Sequence, residues 1–186
     1  AGIDRVAALV RDHLAQRGGP APGIAVHEGA IARIIAALNA LTTADPSGGW
    51  GAFLDPAATK PLEKVRWPLV IAAGHSQGGG HAALMGRAFP LDRVVALSSP
   101  CDTSATGPAT WLDPTKATFA TAPATAFHGL GAPGDAVCPG YPAIWELLGL
   151  GATRRHADAV ICAGSAAHGA TLECVENAAV WKKMLE

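Results

Sequence analysis

Apolar residues recur at three- and four-residue intervals along the first third of the chain. In DRVAALVRDHLAQ (residues 4–16), Val6, Leu9, Val10 and Leu14 share one face with charges between them, which predicts an amphipathic helix. RGGPAPG breaks that pattern, and GIAVHEG then offers an extended run of three or four residues at most. A second helix is expected from about Glu28 to Leu41, with Ile31, Ile34, Ile35 and Leu38 along one side; TTADPSGG is a loop and WGAFL a short helical turn. After Pro61 the period changes. LVIAAG (69–74), VVALSS (94–99), TAFHGLG (125–131) and DAVICAG (158–164) are short apolar runs bounded by turn or polar residues, as strands buried on both faces of a parallel sheet require. Between them HAALMGRAF, WLDPTKATFA and YPAIWELLGLG are expected to be helical, the last stopped by Gly149 and Gly151. LECVENAAVWKKML closes the chain as a helix whose Lys182 and Lys183 suit a helix C-terminus. Strands alternating with helices predict right-handed crossovers and an α/β sandwich with a mainly parallel sheet. A single domain over residues 1–186 is expected, mainly helical to residue 60 and built of βα units beyond it.

Composition narrows the function classes. With 186 residues, 49% of them hydrophobic and 16% charged, the chain is long enough for a real core. The formal net charge of −1 and the lack of a Lys/Arg cluster interleaved with aromatics argue against nucleic acid as a partner. No run reaches the roughly 18 apolar residues of a membrane span; AIARIIAALNAL is interrupted by Arg33 and Asn39. The chain starts at Ala1, which fits a processed secretory protein or a piece of a longer one, with the lean towards a secreted or periplasmic location. Cys101, Cys138, Cys162 and Cys174 contain no CxxC pair, and Ile31 stands where HExxH would need its second histidine, so no metal and no cofactor are expected. Four cysteines permit two disulfides in three pairings, or four buried thiols.

In an open α/β sheet, chemistry gathers where strands end. After LVIAAG come His75 and Ser76; after VVALSS, Cys101 and Asp102; after TAFHGLG, Asp135; after DAVICAG, Ser165 to His168. A serine, two carboxylates and a histidine thus fall at strand ends in the order Ser…Asp…His. With Gly74-His75-Ser76-Gln77-Gly78 on a strand–turn–helix, the chain resembles serine hydrolases of the α/β-hydrolase fold, of the esterase and lipase type. The segment from Gly49 through Asp102 is also similar to a group of predicted bacterial hydrolases of undefined substrate. The resemblance implies a three-layer sandwich and a Ser76 nucleophile activated by His168, which Asp135 orients, Asp102 being the rival acid. The backbone N–H of Gln77 would serve the oxyanion hole. The elbow calls for small residues two places before and after the serine, and Gly79 and Gly80 keep strand and helix close. His75 is expected to be elbow scaffolding. His81 is expected to pack or to line the site, and His13, His27, His128 and His156 to be ordinary surface or core residues. The five tryptophans are most simply packing, with Trp111 a candidate wall of an acyl pocket. Cys101 and Cys138 sit at neighbouring strand ends and Cys162 and Cys174 flank His168, so each pair is a candidate brace.

In the first 66 residues, mainly helical, RGGPAPG follows a helix-like segment and VHEGA a strand of three or four residues at most, so neither is placed as the HG- or GG-type loop that gives a second oxyanion N–H. A reduced or N-terminally truncated α/β-hydrolase is therefore expected, with an exposed apolar edge on the nucleophile strand that favours a homodimer through the sheet edge. The function expected is cofactor-free cleavage of a small-molecule carboxylic ester through an acyl-enzyme. Transfer of the acyl group by an acyltransferase or thioesterase with the same triad is the alternative, and a hydrolase-like binding module without turnover is another.

Overall fold

A computed structural model of the chain describes residues 29–104, 107–116 and 118–186. The helix expected over 4–16 and nearly all of GIAVHEG lie outside these residues. The chain falls into two compact units, one ending at Val70 and the other running from Ile71 to Glu186.

In the first unit, helix α1 (Ala30–Ala44) buries Ile31, while Ile34, Ile35 and Leu38 are half-buried on the expected face. Pro46, which cannot continue the helix, follows at once, and Asp45 accepts hydrogen bonds from Ser47 Oγ and Trp50 Nε1 to build the turn. WGAFL supplies the short helical turn expected of it, a 3-10 turn over Trp50–Phe53. Leu54 then bridges Val65 in antiparallel fashion, and Trp67, buried, donates its Nε1–H to the Leu62 carbonyl.

The second unit is α/β. Strand β1 (Ile71–His75) leads into helix α2 (Gln77–Ala88), which ends before Pro90, and strand β2 (Arg93–Leu97) follows. A small antiparallel pair comes next, β3 (Thr103–Ser104) with β4 (Gly107–Pro108). After it come the short helix α3 (Pro123–Ala126), strand β5 (Phe127–Leu130), helix α4 (Tyr141–Leu147) and strand β6 (Arg155–His156). Helices α5 (Ala167–Glu173) and α6 (Ala178–Leu185) close the chain. The main sheet has the order β1-β2-β5-β6, all parallel, with β1 and β6 as its edges among the described residues.

Register assigns the two faces. Ile71, Ala73 and His75 share a face with Arg93, Val95 and Leu97 and with His128 and Leu130. On that face Val95, Leu97 and Leu130 form one apolar cluster with Ala170 of α5 and Met184 of α6. On the other face α2 and α4 pack: a methyl group at Gly86 would run into Val94 and Phe127, and Trp145 lies over Gly129. Helices therefore cover both faces of a parallel sheet, whose strands are accordingly apolar along most of their length.

Three expectations fail here. Among its described residues, the segment around WLDPTKATFA forms a single 3-10 turn (Thr110–Leu112), because Asp113 accepts from the N–H and hydroxyl of Thr115 and Pro114 has no N–H to offer. The fourth strand is Arg155–His156, upstream of the expected 158–164. There Ala159 still donates to the Gly131 carbonyl, but the Asn177 side chain takes both the N–H (2.9 Å) and the carbonyl (3.1 Å) of Val160. The expected final helix is also two helices, broken at Cys174, whose backbone is extended; a 3-10 turn (Val175–Asn177) separates them. That break brings Asn177, 2% exposed, to Val160.

Candidate active site

Strand β1 ends and helix α2 begins at Ser76, whose backbone takes φ 54 and ψ −123. Among the described residues only Ser98 shares a positive φ without being glycine. Such geometry costs of order 1–3 kcal/mol and persists where the surroundings enforce it. Here they do: the Ser76 N–H donates to Leu97 O at 2.9 Å, and the Ser76 carbonyl accepts from Gly79 and Gly80. The turn is tight enough that a Cβ at Gly74 would collide with the backbone of Gly78 and Gly79, and one at Gly79 with Ser99. At Gly78, by contrast, a Cβ would meet nothing, so the expectation that the second position after the serine must be small is not a steric demand of this turn. Among the described residues, the N–H groups of Gln77 and Gly78 open α2 without a backbone acceptor, as the first residues of a helix do.

His168, expected between the run DAVICAG and the closing helix, lies on the first turn of α5, a short helix that begins at Ala167. Its Nδ1 is 2.9 Å from Asp135 Oδ2 and 3.1 Å from Oδ1. Since a carboxylate accepts, Nδ1 carries a proton, so in the neutral ring Nε2 is the nitrogen with the lone pair. The ring centroid lies 4.7 Å from that of His75, the residue before Ser76. Among the described residues, no hydrogen bond joins the Ser76 hydroxyl to this ring.

Asp135 follows β5 in the turn Ala132-Pro133-Gly134, where Gly134 takes φ 75. Its side chain is 1% exposed, yet Oδ1 accepts the backbone N–H groups of Val137 and Cys138, each at 3.0 Å. Burial pushes the carboxyl pKa up, but the N–H of Cys138, the ring of His168 and the N–H of Val137 together outweigh it and hold it below the usual carboxylate value. Tyr141 backs the turn by donating its hydroxyl to Ala132 O at 3.1 Å. Cys138 is joined to Cys101, and Cys162 to Cys174, so both candidate braces are present. Of the described residues, Cys162, Cys174 and Glu176 come together as metal ligands might, but the two sulfurs are bonded to each other and offer no thiolate.

Asp102, the rival acid, does not meet His168. Its carboxylate lies against Gly80 on the first turn of α2, where burial raises its pKa and His81 works against that rise. Trp111 is buried in its 3-10 turn and its carbonyl accepts from Arg87. Sequence reasoning missed what reaches the backbone of His168: His75 Nε2 and Ser98 Oγ both donate to its carbonyl. The period-2 alternation of β1 was the available signal, because it turns His75 to the face that α5 covers. Comparisons with protein-family models, curated proteins and solved structures give no match.

Proposed function

We propose that the unit from Ile71 to Glu186 is the core of an α/β-hydrolase-type sandwich, and that the chain is a serine hydrolase of carboxylic esters. The observation that carries this reading is the Asp135–His168 pair lying beside the strained Ser76 turn, with Nδ1 of His168 occupied and Nε2 free. In the reaction, Ser76 Oγ attacks the ester carbonyl carbon while His168 Nε2 takes the hydroxyl proton. The oxyanion that forms is received by the Gln77 N–H at the positive end of α2. Collapse breaks the ester C–O bond, His168 protonates the leaving alcohol, and Ser76 keeps the acyl group. Water, deprotonated by His168, then attacks the acyl carbon; the C–Oγ bond breaks, His168 returns the proton to Ser76 Oγ, and the acid leaves. Asp135 stays ionised throughout and stabilises the imidazolium. The two disulfides suit an oxidising compartment.

The missing Ser76–His168 hydrogen bond favours a second reading, a hydrolase-like module without turnover. Hydrogen bonds of this kind are often long before substrate binds. Fluorophosphonate labelling and hydrolysis of short p-nitrophenyl esters separate the readings. A hydrolase is labelled at Ser76 and loses turnover by at least about 10³-fold in Ser76→Ala. Folded protein that takes no label at Ser76 ends the enzyme reading, and labelling with turnover only when an alcohol or thiol acceptor is supplied reassigns it to acyl transfer.

A further inference from the structure

A second hydrogen-bond system reaches His168 from the sheet, and it grips the backbone instead of the ring. The His168 carbonyl oxygen accepts from His75 Nε2 at 2.7 Å and from Ser98 Oγ at 3.0 Å. A carbonyl can only accept, so the protons are assigned: His75 carries one on Nε2, and Ser98 spends its hydroxyl proton on the carbonyl. Thr171 Oγ1, 3.0 Å from Ser98 Oγ, must then be the donor of that pair. Ser98 and Thr171 are completely buried. Ser98 stands just past β2 at φ 46, so both non-glycine residues with positive φ among those described, Ser76 and Ser98, sit at adjacent strand ends around His168.

Helix α5 has reason to need this grip. It is seven residues long, and its N-cap is Ala166, which has no side chain to bond the first-turn N–H groups. A helix so short does not hold itself. His168 is its second residue, so the ring is only as fixed as the first turn. Asp135 restrains Nδ1, but one restraint at the ring leaves the ring free to follow the helix. The carbonyl contacts restrain the other end of the same residue.

We propose that His75, with Ser98 and Thr171 behind it, is a positioning residue for the base: its Nε2–H holds the His168 carbonyl so that the His168 ring keeps its place beside the Ser76 turn. His75 precedes Ser76 in the chain, so the turn that strains the nucleophile also registers the base against it. This inference rests on the serine-hydrolase reading above.

The test compares His75→Phe, which keeps a ring and removes the donor, with His75→Gln, which keeps a side-chain N–H at similar reach. Steady-state kinetics on p-nitrophenyl butyrate, the thermal midpoint and the low-field proton resonance of His168 Nδ1–H are measured for each. His75→Phe is expected to lower kcat about tenfold with KM within about twofold, and to broaden the resonance. His75→Gln is expected to recover most of kcat and the resonance. Ser98→Ala, which removes the partner donor, is expected to lower kcat about threefold and serves as the loss-of-contact arm if His75→Phe does not fold. Wild-type kcat and resonance in His75→Phe overturn the proposal, as do equal losses in the Phe and Gln variants. If His75→Phe does not fold, a wild-type resonance in Ser98→Ala overturns it. If the wild-type protein neither cleaves the ester nor takes a fluorophosphonate, the hydrolase reading has failed on its own, and the resonance still decides whether His75 positions the ring.

Discussion

Two carboxylates end neighbouring strands of the same sheet, and their surroundings make them different acids. Asp135, after β5, is the more deeply buried, yet the turn beyond it aims the N–H groups of Val137 and Cys138 back at Oδ1, and His168 adds a third donor. Asp102, after β2, has no such turn. The chain goes from it straight into β3, whose backbone pairs with β4, and the Asp102 carbonyl accepts from Ala109. Burial then dominates, with His81 as its main counterweight, and the carboxyl is pushed up. The lesson is that a strand-end position makes a carboxylate available, while the donors of the following turn decide whether it stays charged.

The largest effect expected from this contrast is on turnover. Asp135→Asn should lower kcat by about 10³–10⁴-fold, the cost of an imidazole left without its carboxylate. Asp102→Asn should change kcat by less than about threefold, because it touches neither Ser76 nor His168. Steady-state kinetics of the two variants side by side check this, and a larger loss in Asp102→Asn would exchange the two roles.

Next comes the brace that distinguishes the Asp135 turn. Replacing Cys101 and Cys138 by alanine opens a 37-residue separation and should cost about 4 kcal/mol in urea unfolding. The same replacement at Cys162 and Cys174, 12 residues apart, should cost about 3 kcal/mol. Equal losses, or the reverse order, would show that loop length is not what these bonds act through.

The smallest effect is in the pH dependence of stability, and its sign differs between the two acids. A carboxyl whose folded pKa is depressed contributes stability that is present above the unfolded value, about 3.9, and is lost as pH falls through the folded value. Asp135 is of this kind, so the wild type should lose stability on acidification below about pH 4 more steeply than Asp135→Asn. A raised carboxyl works the other way, and stability falls as pH rises from the unfolded value through the folded one. Asp102 is raised, so Asp102→Asn should melt above the wild type at pH 7, with the gap closing below about pH 4. Thermal melts across pH 3–8 measure both; parallel curves for the wild type and Asp102→Asn would remove Asp102 from the contrast.

How much of this was legible in the sequence depends on how local the cause is. The Ser76 turn is written in consecutive residues: an apolar strand, a glycine at 74 that a side chain could not replace, and a small-residue helix. The approach of Asp135 to His168 was legible because both follow apolar runs, although only the run before Asp135 is a strand of the sheet. The cysteine pairs were legible as neighbours in the same way, although free thiols remained an equal reading of four cysteines. The fourth strand was not legible. DAVICAG has a strand's composition, but its outer pairing is taken by one side chain from a distant turn, which no local pattern reveals. The first turn of α5 was missed because Ala166 carries no capping group to announce it. The part played by His75 was missed because its partner is a carbonyl 93 positions away.

Asn177 has a consequence for how this sheet can grow. Strand edges recruit further strands because they offer donors and acceptors in a row. At Val160 that row is interrupted: one amide occupies the donor and the acceptor together, and its Nδ2 also grips Ala170 of α5. The apolar side chains of Val160 and Ile161 face solvent there, 48% and 45% exposed, beside a backbone with nothing to lend a second chain at Val160. The molecule thus blunts an apolar flank of its sheet, and a single buried asparagine serves as the stopper.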